Sequence, residues 1–301
     1  MGHTGVAASA GRWCRCAGTL GPVRRIPPSR ALAALLILPA LGLVPAGCAS
    51  VADPHPAATG EPEFPLVTSF DYQLGGAYEL RSGSQLVVRD RTAAPAAGAY
   101  SVCYINAFQT QPDDGGSWPR EALLTVDEHA VIDPDWPDEQ LLDSSTAEKR
   151  RAIAEVVTPW IEGCANDGFD AVEFDNLDSF TRSEGALSLD DNLALADLLA
   201  RSAHSRGLAV GQKNSAEHAE LLRDEAGFDF AVAEECAAYD ECPAYTEVYG
   251  TAVIDIEYTD ELPRPFDEMC EDPDSPTAMI LRDRDLRAPD ERGYVRESCP
   301  A

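Results

Sequence analysis

Basic side chains are scarce in this 301-residue sequence. It contains 23 Lys and Arg against 52 Asp and Glu, which gives a formal net charge of −29. Such an acidic protein repels the phosphates of nucleic acids, so nucleic-acid-binding classes are excluded. The hydrophobic fraction of 45% is ordinary for a globular protein and excludes wholesale disorder. The composition therefore predicts a folded acidic protein that suits cationic or neutral partners.

Several catalytic and cofactor motifs are also missing. No serine lies in a G-x-S-x-G setting, which argues against a serine hydrolase. No glycine-rich phosphate turn follows the first predicted strand, so a dinucleotide-binding fold lacks its main signature. His204 and His218 lie in predicted helices with no partner motif and are expected at the surface. The sequence predicts chemistry that uses no metal and no cofactor.

The first 47 residues contain five Arg and no Asp or Glu. Arg24, Arg25 and Arg30 precede an apolar run over 31–44 that is too short to span a bilayer comfortably. This layout predicts a signal peptide over 1–47 and an exported protein. The Arg24-Arg25 pair also fits twin-arginine export, but ordinary positive charge ahead of the apolar run is the preferred interpretation.

The end of this leader, Leu43–Cys48, resembles a bacterial lipobox, in which the cysteine becomes the lipidated first residue. Pro45 stands where leucine is usual. The sequence predicts lipidation at Cys48, which would hold the protein on the extracellular face of the membrane. Without lipidation, the exported protein would be secreted. Residues 48–63 are rich in Ala and Pro and predict a flexible linker. Residues 64–301 are then a single domain.

Six further cysteines lie in that domain, and an even number in an exported protein predicts disulfides. Two of them are close enough in sequence to close a short loop, and two would hold the C-terminal tail. Zinc is the alternative, but no CxxC or His-rich spacing accompanies them. The predicted pairs are Cys236–Cys242, Cys270–Cys299 and Cys103–Cys164.

Short β-rich runs alternate with helical patterns along the domain, which predicts parallel βαβ units. Eight such runs in about 240 residues favour a (β/α)₈ TIM barrel, an α/β fold, with a doubly wound open sheet as the alternative. The predicted strands lie near 69–74, 85–90, 99–106, 169–176, 207–214, 228–235, 251–258 and 277–283, with a short extra strand at 130–133. The predicted helices are 146–163, which Pro159 should kink or end, 188–206, which Ser188 and Asp191 should cap, and 217–225.

Strand after strand ends in polar residues, which is where barrel enzymes place their chemistry. These residues are Asp90, Asn106, Asp175, Asn176, Lys213, Asn214, Glu234, Glu257 and Arg282. The loop-rich segment 107–145 is predicted to cover the barrel mouth.

Period-two alternation places Glu173 and Asp175 on one strand face. The same reasoning predicts that Glu234, Asp255 and Glu257 converge on the same mouth. Two carboxylates in different environments are what glycoside cleavage requires. The alternative is that some of these acids form salt bridges or bind a cation. The candidate salt-bridge partners are Lys213, Arg282 and Arg284.

At these positions the sequence resembles a known family. The ordered motifs FDAVEFDNLDSF, GLAVGQKN, FDFAVAEECAAYDEC and AVIDIEY are similar to those of glycoside hydrolase family 114, the endo-α-1,4-polygalactosaminidases. The resemblance covers about 66–299. It implies a (β/α)₈ barrel that cleaves polymers rich in α-1,4-linked galactosamine. Two departures are Ala233, where the family has Asn, and the third-strand run CYINAFQTQP.

The resemblance also implies residue roles. Asp175 corresponds to a catalytic carboxylate and is expected to be the nucleophile, and Glu234 is expected to be the acid/base. The family's pair of cysteines falls on Cys236 and Cys242. Residues expected to line the sugar site, with Glu173 added from the strand alternation, are Asp71, Tyr72, Glu173, Asn176, Asp178, Lys213, Asn214, Glu257 and Tyr258.

The expected partner is a polysaccharide, including cationic galactosamine polymers, and the protein is expected to be a monomer that meets the membrane only through a lipid anchor. Two alternatives are a catalytically inactive, surface-tethered carbohydrate-binding lipoprotein and a scaffold with a broad exposed apolar patch. Aromatic side chains that would stack on sugars, or else serve only in packing, are Tyr72, Trp118, Trp136, Tyr239 and Tyr258.

Overall fold

The computed structural model describes residues 64–112 and 116–300. Its strands are β1 (Phe70–Gln73), β2 (Leu86–Asp90), β3 (Tyr100–Asn106), β4 (Thr125–Val126), β5 (His129–Ala130), β6 (Ala171–Asp175), β7 (Ala209–Lys213), β8 (Phe230–Glu234), β9 (Val253–Tyr258), β10 (Ala278–Arg282) and β11 (Arg296–Ser298). The main sheet has the order β1-β2-β3-β6-β7-β8-β9-β10-β11, and β4 and β5 form a separate antiparallel pair. The eight predicted strands are therefore all present.

The first eight strands of the main sheet pair in parallel, and β11 joins β10 in antiparallel orientation. Arginine side chains from β10 and β11 bond the backbone of β1. The Arg282 guanidinium donates to the Tyr72 carbonyl, and Arg296 donates to the Phe70 carbonyl. The predicted (β/α)₈ class is confirmed.

The helices are α1 (Ala147–Asp167), α2 (Leu189–His204), α3 (Ala219–Ala226), α4 (Cys242–Tyr249) and α5 (Phe266–Cys270). They follow β5, β6, β7, β8 and β9, whereas the links from β1 to β2 and from β2 to β3 contain no helix. Helix α2 begins with the predicted capping box, in which Ser188 and Asp191 bond each other's backbone N–H groups.

Helix α1 corrects one expectation. It does not end at Pro159 but continues to Asp167 and stops at Gly168, whose φ of 94° is left-handed. Pro159 is exposed. The Glu155 carbonyl that would have bonded the missing N–H therefore lies on the solvent side, where water can replace that bond.

Two apolar layers lie on either side of the strands. The barrel interior is filled by side chains that include Phe70, Val88, Phe230, Ile254 and Ile280. A second cluster packs the outward faces of the strands against the helices. In β6, Val172 and Phe174 belong to that outer cluster, while Ala171 belongs to the interior one. Glu173 and Asp175 alternate in phase with Ala171 and therefore face the interior, as predicted.

Three disulfides join the cysteines that the sequence analysis pairs. They are Cys103–Cys164, Cys236–Cys242 and Cys270–Cys299. No helix in the described ranges is both long and apolar enough to cross a bilayer. The predicted signal peptide, the lipidation site Cys48 and the linker up to residue 63 lie outside the described residues.

Candidate active site

A cleft of about 630 Å³ opens where β6, β7, β8 and β9 end. Eight acidic and three basic residues line it, so its charge is negative like that of the whole chain. The acidic residues are Asp90, Asp133, Asp135, Glu139, Asp175, Asp178, Glu234 and Asp285. The basic residues are Arg182, Lys213 and Arg284.

At the bottom of the cleft, a buried ammonium group lies between two carboxylates. Lys213 Nζ is 2.9 Å from Glu234 Oε2 and 3.5 Å from Asp175 Oδ2. The two carboxylate oxygens are therefore no farther apart than the sum of these distances. Burial lowers the pKa of Lys213, but the two carboxylates outweigh burial and hold that pKa above its ordinary value. Lys213 is thus a permanent cation that keeps the acids close together.

Asp175 ends β6 and accepts hydrogen bonds on both oxygens. The Tyr104 hydroxyl donates to Oδ2 at 2.7 Å, and the Asn176 backbone N–H donates to Oδ1 at 2.7 Å. The side chain retains 16% of its exposure and lines the cleft. Asp175 is therefore fixed in orientation and still reachable by a substrate.

Glu234 ends β8 and is held just as firmly. Asn214 donates from Nδ2 to Glu234 Oε2 at 3.0 Å and accepts the Glu234 backbone N–H at 2.8 Å. The Tyr258 hydroxyl donates to Oε1. Burial raises the pKa of Glu234, but the Lys213 ammonium and the bonds from Tyr258 and Asn214 outweigh burial and hold that pKa below its ordinary value. In the free protein, Glu234 is a carboxylate.

The chain turns sharply after each of these strand ends. Asn176, Asn214 and Glu235 have φ values of 64°, 49° and 62°, in the left-handed region that non-glycine residues seldom adopt. Asparagine tolerates this conformation, whereas glutamate is held in it by a partner. Arg284 makes two bonds to Glu235, of 2.8 and 3.1 Å, and its guanidinium lies 4.3 Å from the centre of the Tyr258 ring. Arg284 therefore holds both the turn after Glu234 and the tyrosine that bonds Glu234.

Three of the predicted sugar contacts lie beneath this arrangement. Glu173 is fully buried and accepts the Tyr72 hydroxyl at 2.8 Å. Burial raises the pKa of Glu173 to about 8, although Lys213 opposes the shift. Asp71 is buried in the other direction, between Arg282 at 3.7 Å and Arg296 at 3.4 Å. Glu173, Tyr72 and Asp71 do not line the cleft but support its floor and wall.

The expectation that Asp255 and Glu257 converge on the mouth is wrong. In β9, Ile254, Ile256 and Tyr258 fill the interior, so the two acids point the other way. Glu257 accepts the Ala237 and Ala238 backbone N–H groups, and Asp255 accepts that of Cys236. Burial raises the pKa of both carboxyls. Glu257 raises the pKa of Asp255 further, whereas the hydrogen bond with Asp255 opposes the shift of Glu257. These acids fix the loop after Glu234 and do not line the cleft.

The other predicted contacts do meet in the cleft. They are Asn176, Asp178, Lys213, Asn214 and Tyr258, together with Asp175 and Glu234. Ala233, where the family has Asn, packs in the outer layer.

Sequence reasoning missed Tyr104, Arg182 and Glu139, all of which line the cleft. Tyr104 had a usable signal, because it alternates in phase with Val102 at the end of β3 and therefore faces the interior. The sites of Arg182 and Glu139 depend on contacts between segments far apart in sequence, which no local pattern reveals.

The described residues offer one grouping of potential metal ligands, Cys236, Cys242 and Asp255. The two sulfur atoms are joined in a disulfide and are not thiolate ligands. This grouping is therefore not a metal site.

Comparisons with known proteins agree with the fold. A search of the curated proteins finds no match. One similar solved structure is Ega3 of Aspergillus fumigatus in complex with galactosamine, with 20% identity, a TM-score of 0.63, and coverage of 80% of this chain and 98% of that chain. Another is the glycoside hydrolase domain of PelA from Pseudomonas aeruginosa, with 15% identity, a TM-score of 0.51, and coverage of 75% and 97%. The model of glycoside-hydrolase family GH114 matches residues 51–301. The chain belongs to glycoside-hydrolase family GH114 and is a glycoside hydrolase.

Proposed function

We propose that this protein is an exported enzyme that cleaves α-1,4-linked, galactosamine-rich polysaccharide, with Asp175 as nucleophile and Glu234 as acid/base. The observation that carries the proposal is the pair of partly exposed carboxylates held together by Lys213 at the bottom of an acidic cleft. Family membership supports glycoside hydrolysis, and the galactosamine bound to Ega3 supports the choice of sugar.

The spacing of the two acids supports retention of configuration. Retaining enzymes place their carboxyl groups about 5–5.5 Å apart, and inverting enzymes about 6.5–9.5 Å apart. The two Lys213 distances, 2.9 and 3.5 Å, place one oxygen of each acid on the same ammonium, an arrangement that accommodates the retaining spacing. Asp175 would attack the anomeric carbon while Glu234 gives its proton to the leaving oxygen. In the second step, water would attack the anomeric carbon of the covalent intermediate while Glu234 takes its proton. The bond to Asp175 breaks, and an α-configured product is released.

This assignment has a consequence for pH. An acid/base residue must carry a proton when the substrate is cleaved. The pKa of Glu234 lies below its ordinary value in the free protein, so the productive state is more populated in acid. We therefore expect kcat/KM to rise as the pH falls from neutral toward the ordinary glutamic acid pKa of about 4.3. A flat profile from neutral to acid pH would contradict the role of Glu234.

Charge supports a cationic substrate. Without residues 1–47 the chain has 18 basic against 52 acidic residues, and the cleft shares this imbalance. Such a field attracts a polymer of free amines, and salt screens the attraction beyond about 10 Å at 0.1 M. We expect added salt to lower kcat/KM for the free-amine polymer and to leave that for the N-acetylated polymer unchanged. Equal salt effects on both polymers would contradict this part of the proposal.

The direct test incubates the purified protein with each polymer and identifies the products by mass. We expect oligosaccharides from the galactosamine polymer, and about a 10²–10⁴-fold loss of turnover in Asp175→Asn and in Glu234→Gln with the fold retained. Asp267→Asn, on an exposed face of α5, is the matched control and should be fully active. Binding without product release in the unaltered protein would instead support the inactive carbohydrate-binding lipoprotein.

Export is the remaining part of the proposal. The leader predicted over 1–47 supports it, and so do three disulfides, which persist in oxidising compartments. If Cys48 is lipidated, Cys48→Ser should release the protein from the membrane fraction into the medium. A membrane fraction unchanged by Cys48→Ser would contradict lipidation.

A further inference from the structure

One wall of the cleft is built by residues 116–142, which we call the rim lobe. Its strands β4 and β5 pair, and isolated bridges join Leu123 to Leu142 and Ile132 to Gln140. Leu124, Val131 and Leu141 form a small apolar cluster with Leu187, which lies outside the lobe. The rim lobe is therefore a packed substructure, fixed to the segment that follows β6.

A tight turn within the rim lobe carries an exposed tryptophan. Asp133 is buried, and its Oδ1 accepts the backbone N–H groups of Asp135 at 2.9 Å and Trp136 at 3.3 Å. Its Oδ2 lies 2.8 Å from Arg182 Nε. Arg182 also donates to Asn176 at 3.0 Å, next to the catalytic Asp175. This chain of contacts fixes Trp136 in relation to the catalytic strand end.

Trp136 is 62% exposed and lines the cleft. An indole exposed to this extent gains little from packing within the protein. The other aromatic candidates differ from it. Trp118 is buried edge-on against Trp160, and Tyr239 is 59% exposed but does not line the cleft. Trp136 is thus a flat apolar surface presented to whatever occupies the cleft.

A carboxylate lies three residues further along the same wall. Glu139 Oε2 accepts bonds from Asn106 at 3.1 Å and Gln109 at 2.7 Å, while Oε1 accepts none from the described residues. Asn106 also accepts from Asn176 at 3.0 Å, so one side chain links Glu139 to the residue after Asp175. Glu139 lines the cleft and is positioned to accept a further hydrogen bond there.

We propose that Trp136 and Glu139 form an additional sugar-binding subsite, which takes an amino sugar of the substrate chain beyond the residue that is cleaved. The apolar face of the sugar ring stacks on Trp136, and its ammonium group donates to Glu139 Oε1. This inference rests on the proposed function, since it needs a chain of amino sugars in the cleft. It adds that the rim lobe sets the length and the acetylation state of the chain that the enzyme prefers.

The test compares kcat/KM for short and long galactosamine oligomers. Trp136→Ala should lower kcat/KM about three- to tenfold for long oligomers and leave it unchanged for the shortest oligomer that is cleaved. Trp136→Phe should restore most of the loss. Tyr239→Ala, which removes an equally exposed aromatic outside the cleft, should change nothing at any length. Equal losses at all lengths, or no loss, would overturn the subsite.

Glu139→Gln tests the amino-group contact, since the amide can still accept the bonds from Asn106 and Gln109. It should lower kcat/KM about tenfold for long free-amine oligomers and leave it unchanged for oligomers that are N-acetylated on every sugar beyond the cleaved residue. An equal loss for both oligomers would overturn the contact.

Binding separates this proposal from the function on which it rests. The Asp175→Asn variant should bind long oligomers, and the binding should quench its tryptophan fluorescence. Adding Trp136→Ala to this variant should weaken the binding by about the same three- to tenfold factor that is expected for kcat/KM. If the unaltered protein cleaves nothing but this difference is seen, the catalytic proposal fails and the subsite stands. If neither catalysis nor binding depends on Trp136, the subsite is refuted.

Discussion

Lys213 is one of only two lysines in the sequence, and its replacement by methionine tests the electrostatics of the site. Its ammonium lies 2.9 Å from Glu234 and 3.5 Å from Asp175. Methionine has a similar length and no charge, so Lys213→Met leaves two carboxylates facing each other. At a separation of about 6 Å and an effective dielectric constant of about 20, their repulsion is about 3 kcal/mol. That energy raises one pKa of the pair by about two units.

The assay is the pH dependence of kcat/KM. The carboxylate pair of the variant binds a proton more tightly. We therefore expect the fall of activity with rising pH to occur about two pH units higher than in the unaltered protein. The maximal rate should drop. The pH dependence of the melting temperature gives a second measurement that needs no activity. Because the variant keeps a bound proton to higher pH, its melting temperature should begin to change with pH at a higher pH than that of the unaltered protein.

Lys149→Met is the matched control. Lys149, at the start of α1, pairs with Asp143, and neither residue lines the cleft that holds Asp175 and Glu234, so this variant should leave the pH profile unchanged. Unchanged profiles by both measurements in Lys213→Met would refute the claim that Lys213 governs the ionisation of the pair.

Three further predictions concern residues around the pair. Burial raises the pKa of Glu173 to about 8, above its unfolded value of about 4.3. The free energy of unfolding should therefore fall by on the order of 5 kcal/mol as the pH rises from about 4.3 to about 8. In melting curves recorded over this pH range, Glu173→Gln should flatten that fall. Arg284→Ala should lower kcat about tenfold with little change in KM, because Arg284 holds Glu235 and Tyr258. Arg284→Lys should restore part of the rate. A change confined to KM would contradict this role. Burial raises the pKa of Glu257, so Glu257→Gln should raise the melting temperature at alkaline pH relative to the unaltered protein, and a lower value there would contradict this.

The strands and most helices could be predicted because each has a local signal. Apolar runs of strand length alternate with helical stripes, and the capping residues Ser188 and Asp191 mark the start of α2. Pro159 misled because a proline disrupts a helix most where its turn is buried, and that turn of α1 is exposed.

The site was harder to predict because alternation gives two faces but does not say which face is inside. In β6 one face carries Val172 and Phe174, so the acids had to take the other face. Both faces are buried in β6 and in β9 alike, and the pattern alone did not reveal that in β9 Ile254 and Ile256, not the acids, point inward. Where both faces of a strand are covered, only the packing of the whole barrel decides the question.

Contacts between distant segments were beyond local reasoning. The sequence analysis named Trp136 as a candidate sugar platform in the segment predicted to cover the mouth, but it did not reveal that Arg182 links the turn of Trp136 to the end of β6. The resemblance to the family located Asp175 and Glu234, but it could not show that Lys213 lies between them.

The most direct test of the central claim, that Asp175 and Glu234 are the nucleophile and the acid/base, is rescue by azide. With an activated α-galactosaminide, azide should replace the missing nucleophile in Asp175→Ala and give the β-glycosyl azide. In Glu234→Ala it should intercept the covalent intermediate and give the α-glycosyl azide. The opposite stereochemistry in the two variants, or rescue of neither, would contradict the account.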